Sequence, residues 1–446
     1  MRVAIIGAGI SGLALAYHLQ KLGVRYDLFE CENQVGGLIK SETIEGYQLE
    51  LGAQGYQENE ELQELIRELK LEAEVVKPTP LARNLFVLKE GKPQGLPHSP
   101  MQLLVNSFFG WRTKLRIAQE MQQPVQNLPN ETVRHFFERR FGPEVVEELV
   151  RPLVASLYAG EPNTLLLEKT FPWLKELEKK HGSVLKGISA LEEAEMKPLH
   201  TLQGGLQTLP KAIASKLISL HLDHKVEMVH RARGKYLLSI QHDMESLGEV
   251  EFDAVALALP AHAAAELMEF AAPGWAAALQ NVSYAPLTVV HTAYPKPNVN
   301  YNLHGLGAMQ AAEEQTGTVG MLWRSSVFPA AAPETDVLFT SFSTETLPKA
   351  DSHKAERQIQ QRIDQELQAT YGIKGEKPLF QHAHHWPNAL PQPDMFMLDV
   401  DKMSELVEQD RLYACAGWVA GFSISGCVRH AKQLAQKIYS RRTSMP

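Results

Sequence analysis

Residues 4–19 read AIIGAGISGLALAYHL. A buried-strand run, Val3 to Ile6, meets Gly7, Gly9 and Gly12, and apolar residues at helical spacing follow from Ser11 to Leu22 until Gly23 ends the helix. In a G-x-G-x-x-G turn the first glycine permits the tight bend, the second lets the backbone approach a pyrophosphate, and the third lets helix and strand pack closely. The ligand's charge then meets unpaired N–H groups at the positive end of the helix. A purely structural glycine turn could carry the same three residues, so context decides. Here the motif follows a strand, opens a helix, and is answered by Glu30 at the end of the next strand, Tyr26 to Glu30. An acidic residue at that distance suits a ribose hydroxyl pair. The stretch reads as a dinucleotide site.

The residues that follow separate a resident flavin from a diffusible nicotinamide. VGGLI (Val35 to Ile39) brings Gly36, Gly37 and Leu38 just after Glu30, and ELGAQGY (Glu50 to Tyr56) brings Gly52 and Ala53. In this order the three elements resemble the extended flavin signature of the amine-oxidase and protoporphyrinogen-oxidase superfamily. That resemblance implies a bound FAD, with the paired glycines beside the diphosphate.

The chain has 446 residues, 44% of them hydrophobic, enough for two or three domains with sizeable cores. A formal charge of -8 gives no general attraction to nucleic acid. Cys31, Cys415 and Cys427 form no ligand pair and fit a reducing compartment. No apolar run reaches the roughly 20 residues of a membrane span, and a first strand at Arg2 or Val3 leaves no room for a leader. These features lead to the expectation of a cytoplasmic protein, either free or peripheral on the inner face of the cell membrane.

Helical patterning dominates from about Pro78 to Leu199, with Asn130-Glu131 as a candidate cap and Gly142-Pro143 opening a helix. Strand patterns return in Tyr236 to Gln241 and Asp253 to Leu259. A polar helix is expected near His353 to Ala369, then a strand in Arg411 to Ala416 and a closing helix through Val428 to Tyr439. The expected class is α/β: a doubly wound, Rossmann-like FAD domain from residues 1–78, 203–280 and 400–446. It would carry an inserted mixed α+β substrate domain (281–399) and a helical domain (79–202) that could meet a membrane.

Five later stretches occur in a telling order. They are RPLVASLYAGEP (Arg151 to Pro162), LQGGLQTLPKAIA (Leu202 to Ala214), SSVFPAAAPE (Ser325 to Glu334), HHWPNALPQ (His384 to Gln392) and AGWVAGFSISGCV (Ala416 to Val428). Together they resemble the oxygen-dependent protoporphyrinogen oxidase family, which includes coproporphyrinogen oxidases, and the resemblance runs nearly end to end. It implies oxidation of a porphyrinogen, protoporphyrinogen IX first, to the aromatic porphyrin in haem biosynthesis, with oxygen consumed and peroxide released. The flavin performs the hard step, so no dedicated acid-base pair is required.

The resemblance also implies roles for particular residues. Arg83 would anchor a propionate, and the backbone around Ser156 and Gly160 would approach the tetrapyrrole. Gly204 and Gly205 would let the chain pass close to cofactor or substrate. Val226 would meet the adenine, and Gly417, Gly421, Phe422, Ser423 and Ile424 would face the flavin ring and diphosphate. A haem-pathway partner of the ferrochelatase kind is a further expectation. The sequence departs from the family pattern in five places. Leu38 replaces a basic residue and Ser156 a glycine; SSVFPAAAP lacks an arginine; Met397 lies where Tyr and Gly-His are usual; Trp418 replaces Asn.

Other features have plainer readings. His382, His384 and His385 alternate faces on a strand without a carboxylate at ligand spacing, so no metal is expected. Cys427 reads as a packing cysteine. In PMQLLVNSFFGWRTKLRIAQEM (Pro100 to Met121), Phe108, Phe109 and Trp111 adjoin Arg112, Lys114 and Arg116. That composition fits either an interfacial segment or a helix covering the substrate cavity. Two other functions stay open: another amine-oxidase-superfamily enzyme (an amine oxidase or a desaturase), or a flavin- or porphyrin-binding carrier without catalysis.

Overall fold

The computed structural model describes residues 1–97, 100–190, 198–242, 245–311, 317–348, 352–375 and 377–443, with backbone only at Pro100, Leu103, Leu104, Arg442 and Thr443. Its first strand, β1 (Arg2–Ile6), runs into helix α1 (Ile10–Lys21) and then strand β2 (Arg25–Phe29). All five strands of this sheet are parallel, in the order Leu412–Ala414, Ala254–Leu257, β1, β2, Leu220–His221. Alternation along each strand sorts its side chains onto two faces. Val3, Ile5, Tyr26, Leu28, Ala254, Ala256 and Tyr413 join one core, under α1 and helix Ile424–Thr443. Ala4, Ile6, Phe29, Val255, Leu257 and Leu412 join the other. Burial on both faces explains why these strands read as unbroken apolar runs rather than alternating ones. Helices Ala261–Met268, Pro273–Gln280 and Phe396–Val407, with an antiparallel three-stranded sheet over 224–252, supply the second face.

β1 is followed by its neighbour β2 on one side and borders Ala254–Leu257 on the other. Its carboxyl end is therefore the point where strand order reverses, the place where open α/β sheets bind ligands.

A seven-stranded mixed sheet forms the second layer, in the order Phe380–Pro391, Tyr284–Pro295, Asp336–Ser343, Thr318–Leu322, Gly307–Gln310, Leu85–Lys89, Lys92–Gly95. Helix Ser352–Tyr371 packs its buried Ile359, Ile363, Leu367 and Tyr371 into that sheet's core. Helical patterning is expected from about Pro78, yet Leu85–Gly95 is a hairpin. It completes this sheet, because Leu85–Leu88 pairs in parallel with Gly307–Gln310. Helices Trp111–Ala118, Val133–Phe141, Arg151–Tyr158 and Pro172–His181 form a separate cluster around Phe136, Val150, Val154 and Leu167. The cap of Val133–Phe141 is Thr132, whose hydroxyl accepts from His135 N at 3.2 Å, rather than Asn130-Glu131. Among the described residues no helix is long and apolar enough to cross a membrane.

Candidate functional site: a dinucleotide cradle joined to an aromatic turn

Gly7 bends the chain at φ +104°, and a Cβ there would lie 2.6 Å from Ala258 O. At Gly12 a Cβ would lie 2.0 Å from Gly7 O. Both positions therefore admit only glycine, for packing reasons. Gly9 differs: a Cβ there would meet nothing within 4 Å, so this glycine faces open space. Gly9 caps α1 without a side chain, and the N–H groups of the first helical turn have no intrahelical acceptor.

Glu30 closes the other end. Its carboxylate accepts from Ala8 N at 2.7 Å and from Glu32 N at 3.0 Å, which fixes the acid beside the glycine turn. Gly36 N donates to Ala8 O at 3.0 Å, and a Cβ on Gly37 would lie 3.3 Å from the Gly9 Cα. The paired glycines thus run directly over the first turn. Leu38 is exposed, while its carbonyl lies where a Gly52 Cβ would be, at 1.9 Å, which brings Gly52 and Ala53 to the same place. His224 N donates to Glu30 O at 2.8 Å, so the strand carrying the buried Val226 begins beside the acid. These residues fit a dinucleotide: bare helix N–H groups for its phosphates, open space before Gly9 and a pre-held carboxylate for a ribose.

A second helix start lies nearby. Gly417–Ala420 is one short turn, Gly421 adopts φ +75°, and Ser423 Oγ accepts from Gly426 N at 3.1 Å ahead of the long helix Ile424–Thr443. Cys415 Sγ, just before this turn, donates to Ser11 O at 3.6 Å and ties it to α1. Cys427 is buried there, as a packing residue. Phe422 is partly exposed and meets Tyr158 edge to face at 5.0 Å. Tyr158 O accepts from Gln392 Nε2 at 2.8 Å, and a Cβ on Gly160 would strike Gln392 Oε1 at 2.3 Å. The structure therefore gathers Phe422, Tyr158, Gly160 and Gln392.

Ser156, in the same helix, is placed differently from a residue that touches a ligand through its side chain. Its hydroxyl donates to Pro152 O and Val319 O, both at 2.8 Å, pinning the helix to strand Thr318–Leu322. Arg83 is exposed at the end of the turn Pro80–Arg83, and no ion pair or hydrogen bond engages it among the described residues. Gly205 must be glycine, since its Cβ would lie 2.5 Å from Ser41 Cβ. Two departures from the family pattern, Met397 and Trp418, are buried in one core with Trp275. Trp418 Nε1 donates to Leu259 O at 2.9 Å.

Four residues escaped the sequence reading. Glu50 is buried, accepts from Leu206 N at 2.9 Å and Ser41 Oγ at 2.6 Å, and faces the buried Arg324. Burial pushes the Glu50 carboxyl above the usual range, against the pull of the guanidinium. His291 is fully buried; desolvation, with Arg324 adding to it, pushes its imidazole down to about 3. It donates from Nε2 to Glu50 O at 3.1 Å and accepts at Nδ1 from Thr340. Trp386 Nε1 donates to Leu51 O at 2.6 Å. The available signal was position: Arg324 directly precedes SSVFPAAAPE, the stretch noted for lacking an arginine. The three histidines on Phe380–Pro391 split as alternation requires, with His385 bonded to Thr288 Oγ1 at 2.8 Å and His384 against Trp386 at 4.6 Å.

Comparison with known proteins places this geometry. A model of the flavin containing amine oxidoreductases matches residues 10–439. The mitochondrial protoporphyrinogen oxidase of Nicotiana tabacum is 30% identical over 91% of this chain and 88% of its own length. The coproporphyrinogen III oxidase of Bacillus subtilis (strain 168) is 26% identical over 87% of each. In fold the chain resembles a crystal structure from Exiguobacterium sp. 255-15, provisionally named a protoporphyrinogen oxidase, with TM-score 0.82, 20% identity and 99% of each chain covered. The dinucleotide cradle, the two-faced parallel sheet and a family match across almost the whole length agree: this chain belongs to the flavin containing amine oxidoreductase family and is an FAD-dependent oxidoreductase.

Proposed function

We propose that the protein oxidises a porphyrinogen, protoporphyrinogen IX in the first instance, to the aromatic porphyrin. The observation that carries this reading is the 30% identity over 91% of the chain to an enzyme named for that substrate. The aromatic pair Phe422 and Tyr158, set beside the dinucleotide cradle, supports it as an apolar wall for a flat ring.

When bound, FAD supplies two-electron acceptance and passes those electrons to oxygen. Glu30 holds the ribose end, and the starts of α1 and Ile424–Thr443 hold the diphosphate with backbone N–H groups. Phe422 and Tyr158 exclude water from the ring's face. Arg83 anchors a propionate through its two-pronged guanidinium. Three two-electron rounds together take four hydrogens from the bridging carbons and two from pyrrole nitrogens, six electrons and six protons in all, each round passing one hydride to the flavin and one proton to solvent. Three oxygen molecules leave as three hydrogen peroxides.

The test is an aerobic assay of purified, yellow protein with protoporphyrinogen and, separately, coproporphyrinogen, following porphyrin fluorescence and peroxide. Fluorescence rising faster than autoxidation establishes the activity. A faster rate with coproporphyrinogen assigns the chain to the second reading, favoured by its 26% identity to the Bacillus subtilis enzyme. A flavin-loaded protein inert to both rings removes the porphyrinogen assignment and leaves the family.

We also propose a peripheral membrane contact. Met101, Val105, Trp111 and Leu115 are 71%, 74%, 71% and 54% exposed, next to Arg112. Phe108 and Phe109, by contrast, are core residues.

A further inference from the structure

Glu50 to Gly55 form the loop that resembles the second flavin-binding element, and four of its six carbonyl oxygens are engaged. Glu50 O accepts from His291 Nε2 at 3.1 Å and Gln54 Nε2 at 2.8 Å, and Leu51 O from Trp386 Nε1 at 2.6 Å. Gly52 O accepts from Gln54 Nε2 at 2.9 Å, and Gln54 O from Arg324 Nη1 at 2.7 Å. Two of these donors, His291 and Trp386, come from strands of the seven-stranded sheet, and Arg324 comes from the short helix Arg324–Val327. The N–H groups of Gly52, Ala53, Gln54 and Gly55 show the opposite pattern: none has an acceptor among the described residues. Four consecutive half-buried donors without acceptors call for a ligand or water, since unpaired N–H groups are costly to bury. The loop is also locked against the nucleotide turn, through Gly52 on Leu38 O and Gly37 on Gly9.

Arg324 is the unusual member of this set. It is 1% exposed, yet its Nε and Nη2 lack hydrogen-bond partners. Its nearest carboxylate oxygen, Glu50 Oε1, is 3.6 Å from Nη2, and its guanidinium lies 4.8 Å from the Phe328 ring centre. The charge is thus buried and incompletely matched, directly behind the loop.

We propose that Arg324 is a positioning residue for the flavin, holding the Gln54 carbonyl so that the Gly52–Gly55 amides face the electron-rich edge of the ring and favour its reduced form. Two-electron reduction adds negative charge to the ring, and pre-set donors backed by a buried cation stabilise charge where it develops. The inference rests on the flavin and not on the porphyrinogen, so it survives if the substrate reading fails.

The experiment is a redox titration of the holoenzyme with a reference dye, alongside thermal unfolding, for wild type and Arg324→Met. The reduced cofactor should lose about tenfold in binding relative to the oxidised one, a fall of about 30 mV for a two-electron couple. A purely structural role would lower the unfolding temperature and leave the midpoint potential where it was, and that result overturns the proposal. Arg324→Met combined with Glu50→Gln, which removes the donor to the Gln54 carbonyl without leaving Glu50 as an unpaired buried charge, decides the matter if the methionine variant does not hold FAD. A lowered midpoint supports the proposal and a wild-type midpoint overturns it.

Discussion

Glu50 and Arg324 face each other across the seam between the nucleotide-binding part and the seven-stranded sheet, both buried, with Oε1 and Nη2 3.6 Å apart. Glu50 also collects Leu206 N and the hydroxyl of its cross-strand neighbour Ser41, so one carboxylate ties its own hairpin to two distant segments. Removing one member of such a pair leaves an uncompensated buried charge. Arg324→Met should therefore cost about 3–5 kcal/mol, and adding Glu50→Gln should recover part of that loss. Urea unfolding of the two variants and wild type measures this; equal stabilities of the single and double variants would show that the pair is not coupled.

The glycines of the first turn should divide by environment. Gly12→Ala places a methyl 2.0 Å from Gly7 O and should lose both stability and flavin. Gly9→Ala meets nothing in the chain, so the apoprotein should melt within a degree or two of wild type while FAD binding weakens at least tenfold. Differential scanning fluorimetry with and without added FAD separates the two. Normal FAD affinity in Gly9→Ala would remove Gly9 from the cradle.

Acid should act through His18. Desolvation, then Lys21 and Lys432, push this buried imidazole down to about 4, with Glu68 and Glu64 opposing, and its Nε2 has no partner. Its folded value lies below the unfolded value of about 6.5, so the unfolded chain takes up the proton first. The folded state is therefore at full strength above that value and weakens as pH falls toward 4, by at most about 1.4 kcal/mol per unit. His18→Leu should gain stability on wild type between pH 7.5 and 5. A constant difference across that range would contradict the assignment.

Arg83→Ala should raise KM for a propionate-bearing porphyrinogen about three- to tenfold, the range for one exposed charge-assisted contact, with FAD content unchanged. Steady-state kinetics with both rings tests it. Unaltered kinetics would return Arg83 to the role of a solvated surface residue.

Trp111→Ser with Leu115→Ser should reduce sedimentation with anionic phospholipid vesicles several-fold and leave turnover in detergent untouched. Phe108→Ser should instead lower stability, because Phe108 is in the core and packs under the Lys89 ammonium at 4.0 Å. Undiminished vesicle binding in the double variant would remove this face from the membrane contact.

The cradle was legible because its constraints are local. Gly7, Gly12 and Glu30 are dictated by one turn and one strand, and their spacing records it. The return of strand Leu412–Ala414 to the sheet beginning at β1 was also legible, from its short apolar run before a glycine turn. Arg324, His291 and Trp386 were not, because each acts on a loop hundreds of residues away through a single hydrogen bond that leaves no periodic trace. Hairpin Leu85–Gly95 was misread for a related reason. Its strand identity comes from a parallel partner more than two hundred residues later, which no local pattern announces. In the segment from Pro100 to Met121, Phe108 and Phe109 turn inward to the helical core while Trp111 turns out, a division that the composition of the segment did not announce.

The parallel sheet sets an order of events on the ribosome. β1 is made some 250 residues before its neighbour Ala254–Leu257, and Ser11 O waits for Cys415, 404 residues on. Until the last strand and helix emerge, the apolar faces of β1 and α1 have only part of their cover. The helical cluster around Phe136 draws largely on nearby sequence and can condense early. The nascent chain thus passes through a long interval with its periphery condensed and its centre open, exposing apolar strand faces of the kind that invite aggregation until the closing strand and helix arrive.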